Sequence, residues 1–325
     1  FGIEPIVSDV ITEDQEGKVE SIIESVERKN VISTLREFEF IGGQIRFKLA
    51  IINNTNYPTT EFIITFEIPD ALKWIIHEPG YERKGDSIFI PKLGANEKKS
   101  ISLYLEPISC MESPINATIS FHDAKDVPRA LRMKPKTIAI SCPLYFTKKE
   151  VNFARVKSLK KNLTHHDKKT FPVINPENLD VIFESVVDIL GSRDIKIVSK
   201  TLSVKNKYGE AWFYGTTKAG KKGHVMRITI DGEKRILELE SSGDDEDQIT
   251  GFLADVSREA REKLLNQNLI SSENQFFDLR VSIASHLCPY CFDYISQNLV
   301  KKFTNGESIN CNNCDVRIDV IKPIS

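Results

Sequence analysis

Apolar and polar positions change their period twice along this chain. Val19, Ile22, Ile23 and Val26 share one helical face with charges opposite, which predicts a helix packed on its own domain, or else a docking helix or stalk, within an N-terminal segment, residues 1–35. From Gln44 the period is two: Ile45, Phe47, Leu49 and Ile51 alternate with Arg46, Lys48 and Ala50, as in a strand with one wet face. Further strand-length runs follow at 61–68, 73–77, 87–90, 101–106, 116–122 and 137–141, separated by turn signals such as Glu78-Pro79-Gly80 and Leu93-Gly94-Ala95-Asn96. Short strands in close succession with no helix between them predict an immunoglobulin-like β-sandwich over 36–145, with Trp74 as a core or edge anchor.

Beyond a strand that turns at Cys142-Pro143, the helical period returns. Asn175 and Pro176 suit a helix start and Gly191 its stop, with Leu179, Ile182, Phe183, Val186 and Leu190 as the buried stripe. Strands are expected at 195–204, 209–217, 224–230 and 235–241, the last two joined at Asp231-Gly232, a hairpin signal. The acidic run 244–247 then opens a long helix carrying Ile249, Phe252, Leu253, Val256, Ala260 and Leu264. Helix, antiparallel sheet and helix make a two-layer α+β platform over 146–268. The fold class is therefore multidomain, β followed by α+β.

Charge alters the picture locally. The chain of 325 residues carries a net charge of −2, which supplies no global pull toward nucleic acid or anionic membrane. Yet residues 148–169 hold eight Lys/Arg against two acids and read as a basic loop. Lys160, Lys161, Lys168 and Lys169 are the candidates there for gripping phosphate; pairing with the acidic region 231–247 is the alternative. His165-His166-Asp167 reads as solvated loop rather than as a metal or acid–base site. No apolar run approaches the ~20 residues that span a bilayer, so membrane association is expected only peripherally, through partners. The chain begins at Phe1 rather than Met, and a leader or anchor upstream stays open.

Cysteine spacing carries the most specific chemistry. Cys288-Pro-Tyr-Cys291, nineteen residues, then Cys311-Asn-Asn-Cys314 is the spacing of a zinc ribbon, placed at 281–325, with an intervening hairpin expected to bring the pairs together. Four thiolates fill a tetrahedral shell, so one structural Zn2+ is the implied cofactor. Such usage favours a reducing, cytoplasmic setting, in which Cys110 and Cys142 are read as buried thiols, with a pair in the sandwich as the alternative.

Two stretches carry a resemblance. NFARVKSL at 152–159 and GEAWFYGTTKAGKKGHVMRITID at 209–231 resemble the entry segment and central hairpin of the platform in the appendage (ear) domains of clathrin adaptors and coatomer. The order sandwich, short helix, platform is also similar. That family captures short peptide motifs on its platform, and by position the resemblance places Phe153 and Arg227 among the peptide-contacting residues. The family's tryptophan is Val156 here, and its acidic residue after the hairpin arginine falls at Thr229. With the ribbon included, the whole resembles archaeal proteins of unassigned role. Independently, a strand over 209–217 puts Trp212 and Tyr214 on one face. Phe153, Trp212, Tyr214 and Arg227 are therefore the candidate partner-binding residues of a non-enzymatic module in trafficking-like machinery. A nucleic-acid-associated zinc-ribbon factor is the second reading. An enzyme is the third, with no Ser/His/Asp, Cys/His or paired-carboxylate set behind it.

Overall fold

The computed structural model describes residues 31–320, apart from 146, 148, 149, 219 and 220. The segment around Val19–Val26 lies outside the described residues. Ten strands come first: β1 (Ile32–Ile41), β2 (Gln44–Asn53), β3 (Thr59–Glu67), β4 (Leu72–His77), β5 (Glu82–Lys84), β6 (Ser87–Leu93), β7 (Lys98–Pro107), β8 (Glu112–His122), β9 (Pro128–Arg132) and β10 (Lys136–Ala139). One antiparallel sheet runs β1-β2-β7-β4 and the other β10-β8-β3-β6-β5, with β9 also on β8. Period-two alternation turns Phe47, Leu49 and Leu103 of the first sheet onto Phe62, Ile64 and Ile119 of the second, in one dry core. β1 starts at Ile32, so residues ascribed to the N-terminal segment begin the sandwich. Gly42 and Gly43 join β1 to β2 with φ of 56° and 71°, the two positive values that a two-residue type I′ hairpin demands.

The second body has α1 (Phe153–Asn162), β11 (His165–Pro172), α2 (Leu179–Gly191), β12 (Lys196–Ser203), β13 (Tyr208–Thr216), β14 (Gly223–Asp231), β15 (Ile236–Gly243) and α3 (Glu246–Asn266). Its antiparallel sheet runs β11-β15-β14-β13-β12. α2 and α3 cover one face through Phe183, Val186, Phe252 and Val256, which meet Ala211, Phe213, Ile228 and Leu239. α1 covers part of the opposite face through Val156, so the unit has three layers locally where two were expected. Asn152 starts α1 by accepting the Arg155 amide at 2.9 Å on its side chain.

β11 corrects the reading of a basic loop. Its alternation is hidden because both of its faces are charged, and the neutralising partners are remote in sequence: Lys168 pairs Glu238 at 2.8 Å, and Asp167 accepts the Gly43 amide at 3.2 Å. The free edge of β11 is closed by the segment before α4 (Leu279–Ala284). Asp278 accepts the Thr170 amide at 2.9 Å, and Phe276 stacks on Phe171 at 3.8 Å.

The two bodies meet along α3 and β11. Glu106 of β7 accepts Arg261 at 2.7 and 3.1 Å, and Lys169 approaches the same carboxylate at 3.6 Å. All three are buried. Cys110 and Cys142 form a disulfide with Cα atoms 5.5 Å apart, which corrects the favoured reading as thiols and meets the alternative of a pair. The argument for a reducing setting then rests on the four C-terminal cysteines alone. Close approach of backbone to helix at this joint requires Gly251, where an added Cβ would lie 2.2 Å from the Ser141 carbonyl oxygen. Alanine inside a helix ordinarily gains about 1 kcal/mol over glycine. Here Gly251→Ala is expected to destabilise by about 1–3 kcal/mol, the range of overpacking, in urea unfolding. A stabilised variant would show that the joint is loose.

Candidate functional site

The ribbon is built from two matching turns. In the first, the Cys288 amide donates to Asp293 O at 2.8 Å and the Phe292 amide to Cys288 O at 2.9 Å. In the second, the Cys311 amide donates to Val316 O at 3.1 Å and the Asp315 amide to Cys311 O at 3.0 Å. Phe292 and Asp315 close the turns with φ of 62° and 56°. Each turn aims two thiols at one point. The four Sγ atoms lie within 4.8 Å of one another, with Cys288–Cys314 at 3.8 Å and Cys291–Cys311 at 3.7 Å. Four sulfurs at a metal–sulfur distance of about 2.3 Å in a tetrahedron are about 3.8 Å apart, so the cage fits one ion and is compatible with zinc. Amides of Tyr290 and Asn313 point at Cys288 and Cys311 from 3.5 and 3.4 Å. Burial pushes the Cys288 thiol up. At Cys311 burial acts the same way, but the amides of Cys314 and Asn313 together with the thiols of Cys288 and Cys291 outweigh it and bring the thiol down to about 7.

Between the turns stands a helix, α5 (Gln297–Thr304), where a hairpin was expected. Leu299 and Phe303, one helical turn apart, seat it on Ile295 and Ile309. The short pair β16 (Ile309–Asn310) and β17 (Arg317–Ile318) flanks the second turn. Tyr290 fastens the ribbon to the platform. Its hydroxyl donates to Arg235 O at 3.1 Å, and the Arg235 guanidinium lies 5.2 Å from its ring.

Phe153, Trp212, Tyr214 and Arg227 come together on the face beneath α1. Phe153 meets Trp212 edge-on at 5.6 Å, and the Arg227 guanidinium is 5.2 Å from the indole. Trp212 is nevertheless only 5% exposed, packed with Val156 and Val225. Arg227 is committed to Glu210 at 2.7 Å and faces Glu240 at 3.6 Å. Tyr214 is half-buried at the same cluster. The space between α1 and the β13–β14 hairpin is thus filled by the helix itself.

The four lysines share no surface. Lys169 is 0% exposed and faces Glu106, Lys168 pairs Glu238, Lys160 pairs Glu240, and Lys161 alone stands exposed on α1. Pairing with the 231–247 region therefore takes up two of them. His166 is tied to Ser242 at 2.8 Å inside the sheet.

Two buried polar groupings have no clear sequence signal. His224 joins the Tyr145 hydroxyl at 2.6 Å and Ser241, and its desolvation pulls the imidazole down to about 3, neutral at physiological pH. Ser241 is fully buried, and this hydrogen-bonded row ties β14 to β15 at the sheet end. Glu106 with Arg261 and Lys169 is the other. Arg261 beside Ala260 and Leu264 on the apolar stripe of α3 was the one legible hint.

The chain matches no known family model and no curated protein sequence. Comparison with solved structures gives matches of low similarity. The GAE domain of GGA2p from Saccharomyces cerevisiae is 11% identical over 33% of this chain and 88% of that one, with a TM-score of 0.26. BcpA, the major pilin subunit of Bacillus cereus, is 9% identical over 61% of this chain and 58% of that one, TM-score 0.28. The GH20 exo-β-N-acetylglucosaminidase from Vibrio harveyi is 12% identical over 66% and 40%, TM-score 0.23. What the chain defines is a protein of antiparallel β sheets with a few helices and a four-cysteine cage. Among the described residues no helix is long and apolar enough to cross a membrane.

Proposed function

We propose that this protein is a docking scaffold for protein partners, with an immunoglobulin-like sandwich and an appendage-like platform as rigid supports and a ribbon closed by structural zinc. The single observation carrying this reading is the outer edge of β12. β12 pairs only with β13, and none of its outward backbone groups has a backbone partner among the described residues. Ile197 is 51% exposed there and Val204, just past the strand, 67%. Lys196 and Lys200 flank that edge, paired with Glu150 and Glu184. Edge lysines suppress pairing between identical copies. They also favour an incoming strand that alternates apolar and acidic residues, which adds main-chain hydrogen bonds to the sheet. The α1-covered face offers no such room, so docking moves from the helix–sheet groove to the strand edge. Ion pairing of Lys160, Lys168 and Lys169 removes most of the support for a nucleic-acid grip on this body.

Peptides selected by display on the intact chain test this. Ile197→Lys with Val204→Lys should weaken selected ligands by about tenfold or more, the size of a lost interface anchor, with an unchanged unfolding midpoint. Selected ligands that bind the double variant as tightly as the parent would refute the reading.

A further inference from the structure

A cleft of ≈ 870 Å³ separates the outer face of the β1-β2-β7-β4 sheet from the ribbon, outside every contact described so far. Its sandwich wall follows from strand parity. Leu103 and Leu105 point into the core, so Ser102 and Tyr104 point out, and Tyr104 stands directly across from Arg46 in register. Its ribbon wall is one face of α5, where Gln297, Val300, Lys301 and Thr304 recur at helical spacing while Leu299 and Phe303 turn inward. The mouth carries Tyr294 and His286, whose rings lie 5.6 Å apart.

Three side chains in this cleft keep a donor group without a partner among the described residues. Tyr104 is only 8% exposed, lines the cleft, and its hydroxyl has no hydrogen-bond partner among the described residues. Arg46 gives Nη1 to Glu39 at 2.6 Å and Nε to Ser102 at 3.4 Å, leaving Nη2 without a partner among the described residues. Lys301 has no carboxylate partner among them either. The Tyr104 hydroxyl, Lys301 and the spare Nη2 of Arg46, whose charge Glu39 balances, suit an oxyanion with several lone pairs, which a phosphate supplies better than a neutral group. Glu78 is already occupied by the Ser102 amide at 3.2 Å, and its remaining lone pairs can accept from a sugar hydroxyl or an exocyclic amine. Tyr294, 65% exposed, offers a planar face on which a base can stack. A space of several hundred cubic ångströms between two bodies is the size and place of a small-ligand site.

The geometry points to a nucleotide-binding site in this cleft, with the phosphate held by Arg46, Tyr104 and Lys301 and the base laid against Tyr294. The nucleotide can be free or part of a single strand, and the two sources share this chemistry. Calorimetric titration of the intact, zinc-loaded chain with adenosine monophosphate, inorganic phosphate, a thymidine tetranucleotide and hexaglutamate tests it. Adenosine monophosphate should bind more tightly than phosphate alone. Tyr104→Phe, Lys301→Ala and Tyr294→Ala should each weaken it about tenfold, as loss of a charge-assisted bond or a stacked ring does. Ile197→Lys should leave it unchanged, which separates this site from the β12 edge. A tetranucleotide that binds more tightly than the mononucleotide assigns the site to strands, and the reverse assigns it to free nucleotides. Either supports the proposal. Absence of binding by every phosphate probe, preference for hexaglutamate, or an affinity unmoved in Tyr104→Phe combined with Lys301→Ala overturns it.

Discussion

Stripping the metal from the Cys288–Cys291–Cys311–Cys314 cage, or replacing Cys311 by serine, is expected to unfold residues 281–320 and to leave the sandwich and platform folded. The ribbon's own core is small, with Ile283, Ile295, Phe303, Ile309 and Ile318 at its centre, and its strands are two residues long. A module of this size does not hold itself together by apolar burial. Binding of a structural zinc ion contributes about 10–16 kcal/mol in comparable small modules, so its loss exceeds anything the remaining contacts supply. The other two bodies have separate, larger cores; what they lose includes the Tyr290 contacts to Lys234 and Arg235 and the packing of α4 on β11. Hydrogen exchange with and without a chelator reads this directly. Amides of α5 should lose protection while those of β7 and β14 keep it. Protection of α5 that survives chelation would mean that the cage is not what folds the ribbon.

Truncating Glu106 to alanine is expected to cost about 3–5 kcal/mol of stability, the penalty of leaving buried charges unpaired. Arg261 and Lys169 would then face each other in a site where neither reaches water. Removing all three charges together, as Glu106→Leu, Arg261→Met and Lys169→Met, should recover most of that loss, because the attraction in the native triad largely offsets the desolvation of its members. Acid should act on the same group. Burial pushes the Glu106 carboxyl up, and the charges of Lys169 and Arg261 more than offset it, leaving the group below its ordinary value of 4.5. A depressed carboxylate contributes stability that is fully present above that ordinary value and is lost as pH falls through its lower folded one. Urea unfolding from pH 6 down to pH 3 should therefore show a slope that Glu106→Gln reduces. A Glu106→Ala penalty under about 1 kcal/mol, the worth of an exposed pair, would place the triad in contact with solvent.

Signals confined to a few neighbouring residues were the ones that read correctly. Alternation at 44–52 and 101–106 placed β2 and β7, Pro176 opened a 3-10 turn that leads into α2 without a side-chain cap from Asn175, Gly191 marked the end of α2, and the Asp231-Gly232 hairpin joined β14 to β15, with the Asp231 carboxylate accepting the Glu233 and Lys234 amides at 3.0 Å. The two Cys-x-x-Cys pairs named their own cage, because ligand spacing is set by local turn geometry.

What the chain alone determined was thus the strand and helix periods, the turns and the four sulfur ligands. Folding decided the rest, because each remaining feature joins residues far apart in sequence. β11 looks like a solvated loop until Glu106 and Glu238, 63 and 70 positions away from Lys169 and Lys168, neutralise it. The Phe153–Trp212 cluster looks like a recognition surface until α1 folds down and buries the indole. Cys110 and Cys142, 32 residues apart, look like separate thiols until β7 and the end of β10 bring their Cα atoms to 5.5 Å. Periodicity reports which face of an element is apolar, and only the packed chain reports what covers that face or neutralises its charge.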